Sequence, residues 1–183
     1  MTGADRVPVN GDVALLMFAP TDMAALESLY RTGFHDEDLV PLVRALTVPQ
    51  HAVLSLVAAV NDSLAGHVMM TPCRVAGTAV RVALLGPLVV SPGLQRQGIG
   101  GALVRAGLDG MAGRGAAKAL VLGDPAYYGR FGFTPERDIA TPFPIPSEWR
   151  DAWQSLALGP ARPTIRGTLA PPAPWMDPAL WMP

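Results

Sequence analysis

Residues 94–103, LQRQGIGGAL, place three glycines within four positions at the mouth of a helix-like stretch. A glycine inside a helix costs roughly 1 kcal/mol relative to alanine. Three together therefore need a reason. Ahead of them stands LVVSP (88–92), an apolar run halted by proline, which has the form of a strand end. Behind them Ile99, Leu103, Val104, Leu108 and Met111 recur at helical spacing and mark a buried stripe. A strand, a glycine-rich turn and a helix follow in sequence. The first turn of such a helix has free N–H groups and a positive dipole end, which suit an anion. The alternative use of the glycines is close packing of helix on sheet.

Three anion-binding patterns can be compared with this stretch. A Walker loop requires Gly-Lys-Ser/Thr, which the chain lacks. A dinucleotide fingerprint would set its third small residue at position 103, which is Leu103, and would normally follow the first strand of the chain. Gln/Arg-x-x-Gly-x-Gly/Ala fits, with Gln95, Gly98 and Gly100.

Two neighbouring features agree with this third pattern. Gly86-Pro87 lies inside the long apolar run AVRVALLGPLVV (79–90). Proline cannot donate to a strand ladder, so pairing should break there, most naturally at a bulge. Downstream, GDPAYYGRFGF (123–133) begins with Asp124-Pro125, a helix start with an acceptor cap, and reaches Gly132, a helix stop.

Together these segments resemble the GNAT family of N-acetyltransferases, and the 123–133 phrase resembles a bacterial branch of unassigned substrate. The resemblance spans about residues 10–170, with its firm motifs in 84–133. It implies a single α/β domain with a mixed, mostly antiparallel central sheet splayed at the bulge and flanked by helices. It also implies acetyl-CoA as donor. The backbone of Arg96, Gln97, Gly98, Ile99, Gly100 and Gly101 would receive the pyrophosphate, with Gln95 opening the motif. Leu88, Val89 and Val90 would pair with pantetheine through their backbone, and one of their N–H groups would polarise the thioester carbonyl. Tyr128, four residues before Gly132-Phe133, would be the catalytic acid that protonates the leaving thiolate. From the residues alone, Tyr128 could equally pack with Phe131 and Phe133, and Tyr127 is expected to be structural. One position departs from many relatives, which carry asparagine where this chain has Val121.

Acetyl transfer to an amine also needs a route for the amine's proton. No carboxylate lies on 84–90, and His67 on the preceding strand is the nearest base in sequence, unless it is simply a core histidine. HDED (35–38) is either an attraction for a cationic amine or the acidic start of a second helix. TPFPIPSEW (141–149) offers an apolar wall for a substrate with hydrophobic bulk. The expected reaction is direct transfer to a primary amine of a small molecule or peptide. A CoA-binding sensor without turnover, a different acyl donor and a hydroxyl acceptor remain as alternatives.

Composition narrows the class. Half of the 183 residues are hydrophobic and 16% are charged, which suits one folded domain and not a disordered chain. A net charge of −1 argues against nucleic acid as main partner. Residues 1–94 carry five basic and eight acidic side chains, whereas 95–137 carry six and three, so an anionic ligand prefers the second stretch. Cys73 is alone and His35, His51 and His67 lack ligand spacing, so neither a disulfide nor a metal is expected. No apolar run reaches the ~18 residues of a membrane span, and MTGADRVPVNGD lacks a signal-peptide layout. The expectation is a cytoplasmic protein with no membrane partner.

Residues 135–183 contain 11 of the 19 prolines and all four tryptophans. Proline at that density forbids long helices and central strands. SLAL and TIRGTLA are expected to be short edge strands. A Pro/Trp-rich arm at about 160–183 should pack on its own domain or on a partner subunit in a homodimer. The whole of 1–183 is read as one domain.

Overall fold

The computed structural model describes residues 7–9, 13–159 and 164–182. Strands β1 (Val7–Val9) and β2 (Val13–Met17) precede two helices, α1 (Met23–Gly33) and α2 (Val40–Leu46). A meander follows: β3 (Leu54–Val60), β4 (Ser63–Val75) and β5 (Arg81–Val90). Helix α3 (Ile99–Gly113) crosses over to β6 (Lys118–Leu122), and the short α4 (Pro125–Tyr128) comes next. Strands β7 (Thr134–Pro135), β8 (Ile139–Ala140), β9 (Trp153–Ala157) and β10 (Gly167–Ala170) complete the chain.

The sheet runs β1-β2-β3-β4-β5-β6-β9-β7, with β10 paired to β4 and β8. Every pair along the main path is antiparallel except β5–β6. That parallel pair follows from the connection, since α3 carries the chain back across the sheet between the two strands. This is the mostly antiparallel α/β sheet that the family resemblance implied.

Both faces of the centre are covered, so its strands read as continuous apolar runs. Successive side chains point to opposite faces. Met69, Leu84 and Leu120 enter the layer beneath α1 and α2, while Met70, Leu85 and Val121 enter the layer beneath α3. The predicted stripe of α3 is buried in full, from Ile99 to Met111. Gly107 and Gly110 bring this helix onto the sheet, because a Cβ on either would meet the Met70 or Leu54 side chain. Close packing of helix on sheet is therefore the task of glycines two to three turns inside the helix. The Gly98–Gly101 cluster has a different one.

The break in β5 falls at Gly86-Pro87, joined by a cis peptide. Val68 pairs with Leu88 and Met70 with Leu85, so Met69 alone faces Gly86 and Pro87, which is a bulge. On the other edge β5 meets β6 only at Ala83–Ala119 and Leu84–Leu120. Beyond Leu84 the two strands diverge, while β6 continues to pair with β9 through Leu122–Trp153.

Two local expectations change. Helix α2 begins at Val40, and Asp38 Oδ1 accepts the Val40 N–H at 3.1 Å, so HDED is a loop and only its last carboxylate serves the helix. Strand β9 is not an edge, because β6 and β7 flank it, and the edge is the two-residue, proline-ended β7. The tail packs on its own domain in two short 3-10 turns, Ala173–Trp175 and Pro178–Trp181. Trp175 donates to Thr71 Oγ1 at 3.1 Å, and Trp181 to the Trp175 carbonyl at 2.9 Å. Trp181 also meets Trp153 edge to face. Residues 160–163 and 183 of the predicted arm lie outside the described residues.

Candidate active site

The opening between β5 and β6 separates two cavities. The larger, about 740 Å³, lies toward the start of α3. A turn at Pro92–Leu94 leads from β5 into the glycine motif, where Arg96 and Gly98 both adopt left-handed backbone (φ +62° and +88°). Gly98 immediately precedes α3, and only glycine takes this φ without strain. The first helical bond of α3 is Ala102 N–H to the Gly98 carbonyl, 3.0 Å. From Arg96 to Gly101, no backbone N–H has an acceptor among the described residues. Four of these residues, Arg96, Gly98, Gly100 and Gly101, line the cavity, and free N–H groups at a helix mouth suit an anion.

Side chains add positive charge to the same cavity. Arg96, Arg105 and Arg130 all line it. Arg130 stacks on Tyr127, 4.4 Å from the ring centroid, and Arg105 lies 5.3 Å from the Phe131 centroid. These cations face a cavity whose lining has one carboxylate, Asp124. Asp124 is occupied at the start of α4, where it accepts the Ala126 N–H at 2.8 Å.

Of the residues predicted to bind the donor, Leu88, Val90, Gln95, Arg96, Gly98, Gly100 and Gly101 line this cavity. The other three do not. Ile99 is in the core beneath α3, and Val89 is in the layer beneath α1. Gln97 turns back to the Gly93 carbonyl at 3.4 Å, as Gln95 does to Val90 at 3.3 Å. Leu88, Val89 and Val90 pair with β4 on one edge and have no strand on the other. Val121 is buried in the α3 layer.

The second cavity, about 310 Å³, lies across the splay toward α1, α2 and the tail. Leu88 lines both cavities. Tyr128 belongs to the second, where its ring packs on Gly123 and meets Phe133 edge to face at 5.8 Å. Burial raises its hydroxyl well above the usual tyrosine value, and the adjacent Tyr127 adds to the rise. It is therefore a proton-bearing group at any ordinary pH. Tyr127 faces the larger cavity instead, about a third of a helical turn away. That spacing in the sequence already separates the two tyrosines, although it does not say which faces which cavity.

His67 faces neither cavity. It is fully buried between Tyr30 Oη, 2.8 Å from Nδ1, and Ser55 Oγ, 2.8 Å from Nε2. Burial lowers its pKa to about 3. It is a neutral core histidine. Of HDED, Glu37 alone lines the second cavity, and desolvation there raises its carboxyl. Trp149 is the contribution of the 141–149 stretch, while Phe143 and Ile145 pack into the core. The tail residues Trp175, Leu180, Trp181 and Met182 complete the wall, a role that their sequence does not advertise. Among the described residues, no cluster of three or more His, Cys, Asp or Glu is placed to hold a metal, and no helix is long and apolar enough to cross a membrane.

A model of the acetyltransferase (GNAT) family matches residues 21–133, which contain the glycine motif, the splay and both tyrosines. The chain belongs to the GNAT acetyltransferase family. It is 32% identical to the uncharacterized N-acetyltransferase YjhQ of Escherichia coli over 142 residues, 74% of this chain and 77% of that protein. A GNAT acetyltransferase from Brucella melitensis, solved with acetyl-CoA, is 30% identical with TM-score 0.73, covering 89% of this chain and 97% of that one. The YhbS acetyltransferase of Escherichia coli, solved with CoA, is 26% identical with TM-score 0.81, covering 93% and 96%. The fold of this chain is thus shared over about nine-tenths of its length with family members solved with acetyl-CoA or CoA.

Proposed function

We propose that the protein transfers an acetyl group from acetyl-CoA to a primary amine of a small molecule or peptide, by direct attack. The observation that carries this is the meeting of two cavities at Leu88, one lined by three arginines and by Gly98, Gly100 and Gly101 at the start of α3, the other lined mainly by aromatic and aliphatic side chains with Glu37 and Tyr128.

Acetyl-CoA is the donor substrate. Its pyrophosphate suits the N–H groups of Arg96–Gly101, and the Arg96 guanidinium adds a charge-assisted contact. Its pantetheine arm suits the strand edge of Leu88–Val90 that β6 leaves unpaired. A backbone N–H on that edge can polarise the thioester carbonyl. The acceptor amine enters from the second cavity, so its nitrogen and the thioester meet at the splay.

Tyr128 stands on the acceptor side of that junction and donates its proton to the departing thiolate. The usual tyrosine pKa near 10 is comparable to that of an alkyl thiol. Burial disfavours both anions, so raising the phenol does not by itself remove the match. General acid help of this kind is worth about 10²–10⁴ in rate.

The test is release of free CoA thiol from acetyl-CoA over amino acids, polyamines, aminoglycosides, apolar amines and peptide N-termini, with product mass to locate the acetyl group. Amide formation with one class is the expected result. Tight acetyl-CoA binding with no acceptor consumed would instead make the protein a CoA sensor.

A further inference from the structure

The second cavity limits what the acceptor can be. Among the described residues its lining includes two ionisable side chains, Glu37 and Tyr128, and no lysine, arginine or histidine. Nothing there offers a positive partner to a carboxylate or phosphate on the acceptor. The other lining side chains are mostly aromatic or aliphatic, with Phe34, Pro87, Trp149, Trp175 and Leu180 among them. At about 310 Å³ the space is at the small end of ligand pockets, which run from roughly 300 to 1,000 Å³. A phenyl or indole ring on a short aminoalkyl chain suits it, and a peptide with several side chains does not.

Glu37 is the one carboxylate on this wall among the described residues. The other members of the acidic segment lie outside, and Asp38 is engaged with the Val40 N–H. His67 is sealed in the core and cannot accept a proton from this cavity.

Resting on the acetyltransferase reading above, we propose that the acceptor is a small primary amine on an apolar, ring-sized body, and that Glu37 removes the proton of its ammonium group. The neutral amine then forms a C–N bond to the thioester carbonyl carbon as the C–S bond breaks. The ammonium loses two protons in all: one leaves through Glu37 to solvent, and the other balances the proton that Tyr128 gives to the CoA sulfur. Desolvation supports the role, since a carboxylate of raised pKa is a stronger base than one in water. Tyr128 is the other titratable group facing the cavity, and it stays protonated over the same range.

The experiment compares kcat/KM for 2-phenylethylamine, tryptamine and hexylamine with that for spermidine, phenylalanine and a tetrapeptide. Acetyl-CoA affinity is measured separately by calorimetry. The apolar amines should exceed the others at least tenfold, with phenylalanine penalised solely for its carboxylate. Glu37→Gln should lower kcat/KM for tryptamine about 10²-fold or more and abolish the acidic limb of its pH profile, at unchanged acetyl-CoA affinity. Glu37→Asp should restore part of the rate, Trp149→Ala should raise the tryptamine KM at least fivefold, and Asp36→Asn should change nothing. Preference for spermidine or the tetrapeptide, or an acidic limb that survives Glu37→Gln, would overturn the inference and leave the acetyltransferase reading standing. Acetyl-CoA binding with no amine consumed would overturn both.

Discussion

The Tyr127 hydroxyl occupies the space that a side chain on Gly100 would need: a Cβ there would lie 2.6 Å from the phenolic oxygen. Two elements that meet only through the fold, α3 and α4, thus close one wall of the larger cavity. Gly100→Ala should displace Tyr127 and weaken acetyl-CoA binding at least tenfold. Tyr127→Phe in the same background should recover most of the loss, because the next ring atom, Cζ, is 3.8 Å away, an ordinary contact. Calorimetric affinities for the double-mutant cycle should give a coupling of about 0.5–3 kcal/mol. Simple additivity would mean that the glycine serves something other than this contact.

Tyr128→Phe retains the ring against Gly123 and Phe133 and removes only the hydroxyl. With chemistry limiting turnover, kcat should fall about 10²–10⁴-fold while acetyl-CoA affinity holds. The acid acts when protonated, and its raised pKa keeps it so past pH 10. The basic limb of the wild-type profile should therefore carry no contribution from Tyr128 below that pH. Unchanged kcat in the variant would make Tyr128 a packing residue.

His67 makes stability depend on pH. An unfolded histidine titrates near 6.5, but the folded one only at about 3. Between those values the unfolded chain binds the extra proton. The contribution of His67 is complete above about pH 6.5 and declines as pH falls toward about 3, with a slope approaching roughly 1.4 kcal/mol per pH unit. Urea unfolding at pH 7.5 and 5.0 should show this loss. His67→Gln, less stable at pH 7.5, should lose less on acidification. An equal loss in the variant would assign the slope to other groups.

Trp181 is buried against Trp153 and Trp175 and lines the second cavity. Trp181→Ala should destabilise the protein by about 3–5 kcal/mol. In the folded fraction it should raise the acceptor KM and spare acetyl-CoA affinity. A change confined to acetyl-CoA would contradict the separation of the two cavities.

The lining of the larger cavity and the break in β5 were legible in the sequence because their parts are contiguous. Gly86-Pro87, Gln95–Gly101 and Asp124–Gly132 each impose a local backbone demand that glycine or proline announces, and they lie within some fifty residues. The second cavity was mostly hidden. Phe34, Leu42, Trp149 and Trp175 come from four separate segments, and each in isolation resembles core or loop. His67 was ambiguous because a polar residue on an apolar strand takes its meaning from partners such as Tyr30, 37 positions away. The tryptophan-rich tail signalled burial without signalling where, since proline-broken segments have no periodicity that reveals a face.

The segment that matches the family stops at residue 133, yet the acceptor wall draws on Trp149, Trp175, Leu180, Trp181 and Met182. The second cavity is thus shared between the family segment, which contributes Phe34, Glu37 and Tyr128, and a tail outside it, whereas every residue lining the larger cavity lies within 21–133. Substitutions in the last forty residues can revise what is acetylated without disturbing how CoA is held. In laboratory evolution, the tail is the place to diversify for new acceptors, and the glycine motif is the place to leave alone.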